Sequence, residues 1–159
     1  MEVKKELVET YFLYPSALHT PNKPCVVTTI LGSCVAVCLF DPILKVGGIN
    51  HYMLPLWNGE GLPSPKYGNI AINKLIKKMV DKGSMKHNLI AKIFGGAEKS
   101  EPTSNHFYIG RRNIQIAEEI LKEENIKIVG QSTGGYKGRK LQFHTHLGEV
   151  YMKYVMREM

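Results

Sequence analysis

A chain of 159 residues with 43% apolar content suits one domain, residues 1–159, that buries a core without disulfide staples. No run approaches the roughly 18 apolar residues needed to span a bilayer, and the opening MEVKKELVETYF lacks the apolar stretch of a secretory signal, so the cytoplasm is the expected location. The net charge of +7 comes from lysines and arginines that are scattered, not gathered in a basic stripe interleaved with aromatics, which argues against nucleic acid; solvated faces are the plain reading and attraction to an acidic partner the sharper one.

The β-branched run 25–31 (CVVTTIL) predicts a strand. Gly32-Ser33 interrupts, and 34–40 (CVAVCLF) is apolar on both alternating faces, as a segment buried on two sides would be. Asp41-Pro42 ends it. A third strand pattern runs over 46–54, with Ile49, His51 and Met53 on one face, and stops at Pro55. Residues 69–82 predict a helix with Ile72, Leu75, Ile76, Met79 and Val80 as its apolar stripe, Asn69 as N-cap and Gly83 as the residue after the C-cap. A strand over 89–94 leads into Gly95-Gly96. A long polar loop then fills 95–112, and Asn113 caps a second helix facing inward with Ala117, Ile120 and Leu121. A strand over 126–131 and a hairpin of 140–147 and 149–156 about Leu147-Gly148 complete the chain. This order is not the strict alternation of a doubly wound parallel sheet. It predicts an α+β fold with two helices on a largely antiparallel or mixed core.

Three cysteines, Cys25, Cys34 and Cys38, are an odd count, so at least one thiol is free. Cys34 follows Gly32-Ser33 between two apolar runs, which puts it at a strand end, where cleft residues sit. A thiolate there is a strong nucleophile, a nearby imidazole can hold it ionised near neutral pH, and its own N–H can steady an oxyanion. The competing reading is packing, the usual role of a free cysteine, and it fits Cys25 and Cys38. His51, within GGINHYMLP, is the candidate base if its strand lies beside that of Cys34; a histidine satisfied within the core is the alternative. Thr28 and Thr29 fall on opposite faces of their strand, and either could orient an imidazole. Gly32, Ser33 and Asn50 are expected near the reacting centre. His144 and His146, two apart on one predicted strand face, have metal-like spacing, and His106 could join them, but no third or fourth ligand is spelled out nearby. Gly95-Gly96 and Gly134-Gly135 read as turns, and Arg111-Arg112-Asn113 at a helix start could catch an anion.

Taken in order, TTILGSCVAVCLFDP, GGINHYMLP, KYGNIAINKLI, KIFGGA, IGRRN, TGGYKGRK and LGEV resemble the CheD family of chemoreceptor glutamine deamidases, from about Thr28 to Tyr151. The most specific part is Gly-Ser-Cys-Val followed seventeen residues later by the histidine of Gly-Gly-Ile-Asn-His. The resemblance implies that the nucleophile is Cys34 and its histidine His51, and that the family's threonine, six residues before the cysteine, falls on Thr28. It implies a layered α/β/β sandwich similar to cytotoxic necrotizing factor deamidases. It also implies hydrolysis of glutamine side chains on methyl-accepting chemoreceptors with ammonia released; with Cys34 as nucleophile this runs through a thioester, and the same chemistry would hydrolyse a glutamyl methyl ester. No metal or organic cofactor is expected. A CheC-type phosphatase is the implied partner. One departure lies in the last hairpin, where His144-Thr145-His146-Leu147-Gly148 stands in place of a polar Asn-Thr-x-Thr-Gly run. The rival readings are a non-catalytic module that binds CheC, with a vestigial cysteine, and a general cysteine peptidase.

Overall fold

Alternation along the run CVVTTIL decides how the layers stack. In the computed structural model, which describes residues 8–98 and 108–155, this strand, β3 (Cys25–Leu31), buries Cys25, Val27, Thr29 and Leu31 and turns Val26, Thr28 and Ile30 to the other face. Ahead of it lie β1 (Glu9–Phe12) and β2 (Ala17–His19). After it come β4 (Val35–Asp41), β5 (Val46–His51), α1 (Gly68–Asp81), β6 (Ile90–Gly95), α2 (Ile109–Glu123), β7 (Lys127–Thr133), β8 (Gly138–His144) and β9 (Glu149–Val155). One sheet has the order β1-β3-β8-β9 and the other β2-β5-β4-β6-β7. β1 with β3 and β6 with β7 run parallel, and the remaining pairs run antiparallel.

β4 shows why its sequence is apolar on both faces. Ala36 and Cys38 point between the sheets, where they join Ile49 and Phe94 against Val27, Leu31, Leu141 and Phe143 of the other sheet. Val35, Val37 and Leu39 point the opposite way, onto Ile72, Leu75 and Met79 of α1 and Ala117 and Leu121 of α2. The layers are therefore helices, five-stranded sheet, four-stranded sheet: an α/β/β sandwich of the α+β class, in agreement with the expectation. No helix of the described residues is long and apolar enough to cross a membrane.

The elements differ from the sequence pattern at several ends. α1 takes Tyr67 as its N-cap, while the Asn69 side chain accepts a hydrogen bond from the Trp57 N–H instead. Gly83 closes α1 as expected, with Gly83 N–H to the Val80 carbonyl and Ser84 N–H to that of Met79. Val80 is 41% exposed and leaves the apolar stripe. α2 begins at Ile109, one turn before the expected start, so Asn113 is a buried interior residue and not a cap. β1 and β2 are short strands in the opening segment, which offered no clear period. Of the expected long loop, residues 99–107, with His106 among them, lie outside the described residues.

Phe143 is fully buried in the layer between the sheets. Phe143→Ala is expected to lower the unfolding free energy by about 3–5 kcal/mol, read from urea denaturation. A loss under about 1 kcal/mol would mean that this layer is not a packed core.

Candidate active site

The register between β4 and β5 brings two distant residues together. Pairs run from Asp41↔Val46 to Cys38↔Ile49, and the Val35↔Tyr52 bridge continues the same register. Ala36 therefore stands opposite His51, and Cys34, one alternation further, is its diagonal neighbour on the same face. Diagonal neighbours in an antiparallel pair lie about 7–8 Å apart, within reach of long side chains. Both project into the end of the layer between the sheets, where Cys34 packs against the apolar cluster while remaining partly exposed. No hydrogen bond joins the two side chains among the described residues.

The opposite sheet supplies what orients the imidazole. Thr29 Oγ1 lies 2.7 Å from His51 Nδ1 and 2.8 Å from the Leu13 carbonyl oxygen. A carbonyl can only accept, so the hydroxyl donates its one proton to Leu13. It must then accept from His51, which fixes the Nδ1–H tautomer. The lone pair is left on Nε2, which is buried and has no partner among the described residues. The threonine that holds His51 is thus Thr29. Thr28, the expected one, has its side chain on the other face of β3; its backbone carbonyl accepts from Leu13 N–H at 2.8 Å.

Burial lowers the pKa of His51, which is 2% exposed, to about 4. Burial also pushes the Cys34 thiol up, against a smaller opposing effect from its own N–H. Both shifts disfavour charge, so the resting pair is neutral thiol and neutral imidazole. Desolvation thus works against the thiolate that the sequence led us to expect beside an imidazole.

The loop that carries Cys34 is tied down by its carbonyls. Those of Gly32 and Cys34 accept from Ala97 N–H and Gly96 N–H. That of Ser33 accepts from Asn113 Nδ2 at 3.0 Å, and the same nitrogen reaches the Met53 carbonyl at 3.0 Å. Asn113 thus clamps the start of β4 to the chain leaving β5. With its carbonyls turned into these contacts, the loop leaves the Cys34 N–H with no backbone acceptor among the described residues, only its own sulfur. Gly95 has φ +106°, and a Cβ there would lie 2.2 Å from the Cys34 carbonyl oxygen, so Gly95-Gly96 is a close approach and not a simple turn. Asn50, expected beside the reacting centre, lies on the helix-facing side of β5 and accepts from Val37 N–H at 2.8 Å. It fills a gap in the strand ladder. Asn113 was the missed residue, since a polar side chain inside a helix gave no signal; Thr29 was weighed beside Thr28, and alternation separated their faces without saying which one holds His51.

His144 ends β8 and His146 sits in the following turn, with rings 6.2 Å apart. They do not share a strand face, and no group of three or more metal-ligating residues converges among the described residues.

Residues 53–154 match the family described as CheD chemotactic sensory transduction. A protein of Sulfurimonas denitrificans named "Probable chemoreceptor glutamine deamidase CheD" is 47% identical over 150 residues, 94% of this chain and 96% of its own length. One of the same name from Trichlorobacter lovleyi is 47% identical over 91% of this chain and 90% of its own length. A "Probable chemoreceptor glutamine deamidase CheD 1" of Anaeromyxobacter dehalogenans is 37% identical over 89% of this chain and 82% of its own.

The relay fixes a titration. ¹⁵N NMR of His51 is expected to show the neutral Nδ1–H tautomer down to about pH 5, with protonation centred near 4. The folded value lies below the ordinary 6.5, so as pH falls the unfolded chain takes up this proton first. The contribution to stability is full above about 6.5 and is lost as pH drops towards 4. A neutral Nε2–H tautomer would contradict the relay.

Proposed function

The chain belongs to the CheD family, and from this we propose that it is a chemoreceptor glutamine deamidase with Cys34 as nucleophile and His51 as general base. The observation that carries the reading is a buried, unpartnered Nε2 lone pair, fixed by Thr29, beside a partly exposed thiol on the same sheet face. The names borne by the relatives support the substrate class.

The neutral resting pair suits general-base chemistry better than a preformed ion pair. As a glutamine carboxamide enters, Nε2 takes the Cys34 proton while sulfur bonds to the carbonyl carbon. The Cys34 N–H, which has no backbone acceptor among the described residues, donates to the oxyanion. The Nε2 proton passes to the departing nitrogen, and ammonia leaves a thioester. Water then attacks the thioester carbon as Nε2 takes its proton. The C–S bond breaks, the proton returns to sulfur, and glutamate is released. Nδ1–H stays on Thr29 throughout, and the imidazolium that forms twice is steadied by that bond.

The same steps hydrolyse a glutamyl methyl ester, with methanol leaving in place of ammonia, so methylesterase activity belongs to the proposal. A CheC-type phosphatase as partner rests on the family resemblance alone.

Incubation with a receptor cytoplasmic fragment is expected to raise its mass by about one dalton per converted glutamine, with ammonia released, and Cys34→Ala is expected to abolish both. Thr29→Val strands a buried N–H and should slow conversion about tenfold or more; Thr28→Val should change it little. Unchanged mass with stable association would favour a non-catalytic binding module. Equal losses in the two threonine variants would remove Thr29 from the mechanism.

A further inference from the structure

Arg139 is 3% exposed, yet no carboxylate pairs with it among the described residues. An arginine stays charged in any protein setting, and a buried charge is ordinarily paired. Its bonds go to neutral groups: Nε donates to Ser132 Oγ at 3.2 Å and Nη1 to the Gly95 carbonyl at 3.4 Å. A guanidinium has five N–H donors, so much of its capacity is left over. Its Cζ lies 5.3 Å from the centre of the Tyr154 ring, and Lys137 Nζ lies 5.5 Å from the same ring. Two cations beside one ring concentrate positive charge there, and an anion at the pocket would be attracted to both.

These side chains line a pocket of about 380 Å³ together with Thr133, Gly134 and Gly135. Both glycines hold positive φ, and no atom lies within 4 Å of where a Cβ would be on either. Positive φ, not crowding, calls for glycine here, and the result is a wall free of side chains. The pocket adjoins the reacting centre. Gly134 N–H donates to the Gly95 carbonyl, and Gly96 N–H to that of Cys34. Only β6 separates β7, which ends at Thr133, from β4. Two strand spacings, about 10 Å, thus separate the pocket from Cys34.

We infer that this pocket binds an Asp or Glu carboxylate of the substrate protein, about 10 Å from the glutamine under attack, and so selects which glutamines are converted. The inference rests on the deamidase reading. A planar guanidinium matches a carboxylate through paired N–H donors, and the Lys137 ammonium adds charge at the exposed side.

Binding separates this inference from catalysis. In the Cys34→Ala background, affinity for a receptor cytoplasmic fragment is measured by calorimetry for Lys137→Glu and Arg139→Lys. Lys74→Glu, an exposed residue on α1, makes the same charge change elsewhere. Lys137→Glu is expected to weaken binding about tenfold or more, with Lys74→Glu near the parent. In the Cys34 protein the loss should appear in KM. Neutralising the substrate carboxylate should give the same loss, and combining it with Lys137→Glu should add little. Equal affinities for Lys137→Glu and Lys74→Glu would overturn the pocket, as would a fragment that does not bind at all. Absence of deamidation by the Cys34 protein would instead overturn the deamidase reading, and the binding comparison would still decide the pocket. Circular dichroism of Arg139→Lys separates lost contact from lost fold.

Discussion

The site depends on the direction of one hydrogen bond. Thr29 Oγ1 stands between the Leu13 carbonyl and His51 Nδ1 at 2.8 and 2.7 Å. Because a carbonyl has no proton to give, the hydroxyl is committed and the imidazole has one allowed tautomer. Every later statement about the base follows: Nε2 is the basic atom, it faces the same layer as Cys34, and it has no competing protein donor among the described residues. The relay ends on a carbonyl, not a carboxylate. It fixes orientation without placing a negative charge beside the ring, which is why burial dominates and leaves His51 neutral.

The neutral pair has a chemical logic. A thiol whose pKa is raised carries little thiolate at rest, and the thiolate is the form that oxidants and stray electrophiles attack. On the proposed deamidase reading, reactivity is reserved for a bound carboxamide, which can accept electron density as the proton moves. Rigidity around the sulfur comes from neighbours that do no chemistry. Asn113 bridges the carbonyls of Ser33 and Met53, and the Gly95-Gly96 backbone lies against the Cys34 carbonyl. In the proposed mechanism, a loop fixed by its carbonyls holds Cys34 in place for attack.

Much of this was legible in the chain. The two-faced apolar run 34–40 announced a middle-layer strand, and β4 is that strand. The strands 25–31 and 89–94, both helices and the last hairpin follow period and turn chemistry, and Gly83 ends α1 as its position suggested. What the sequence could not give was contact across layers. Thr28 and Thr29 are equivalent by propensity, and only the register of β3 against its neighbours says which one meets the histidine. Asn113 looked like a cap because polar residues favour helix starts; in the fold its amide answers two carbonyls brought there by other elements. The pKa direction of Cys34 was out of reach too, since it depends on burial that no local pattern encodes. β1 and β2 escaped because strands of four and three residues carry too few positions to show alternation.

The stretch from Glu9 to His19 is stitched to both sheets. β1 runs along β3, Leu13 N–H and C=O are both held by the Thr28-Thr29 pair, Ser16 N–H reaches the His51 carbonyl, and β2 continues along β5. No atom in it reacts, yet it supplies the acceptor that determines which imidazole nitrogen is basic. Were this strap to peel away, Thr29 would be free to rotate and donate to Nδ1, the ring proton could migrate to Nε2, and water would reach a histidine that is now dry. The protonation of His51 is thereby governed by the docking of a peripheral ribbon, and anything that loosened its grip would move the basic nitrogen while His51 and Cys34 stayed in place.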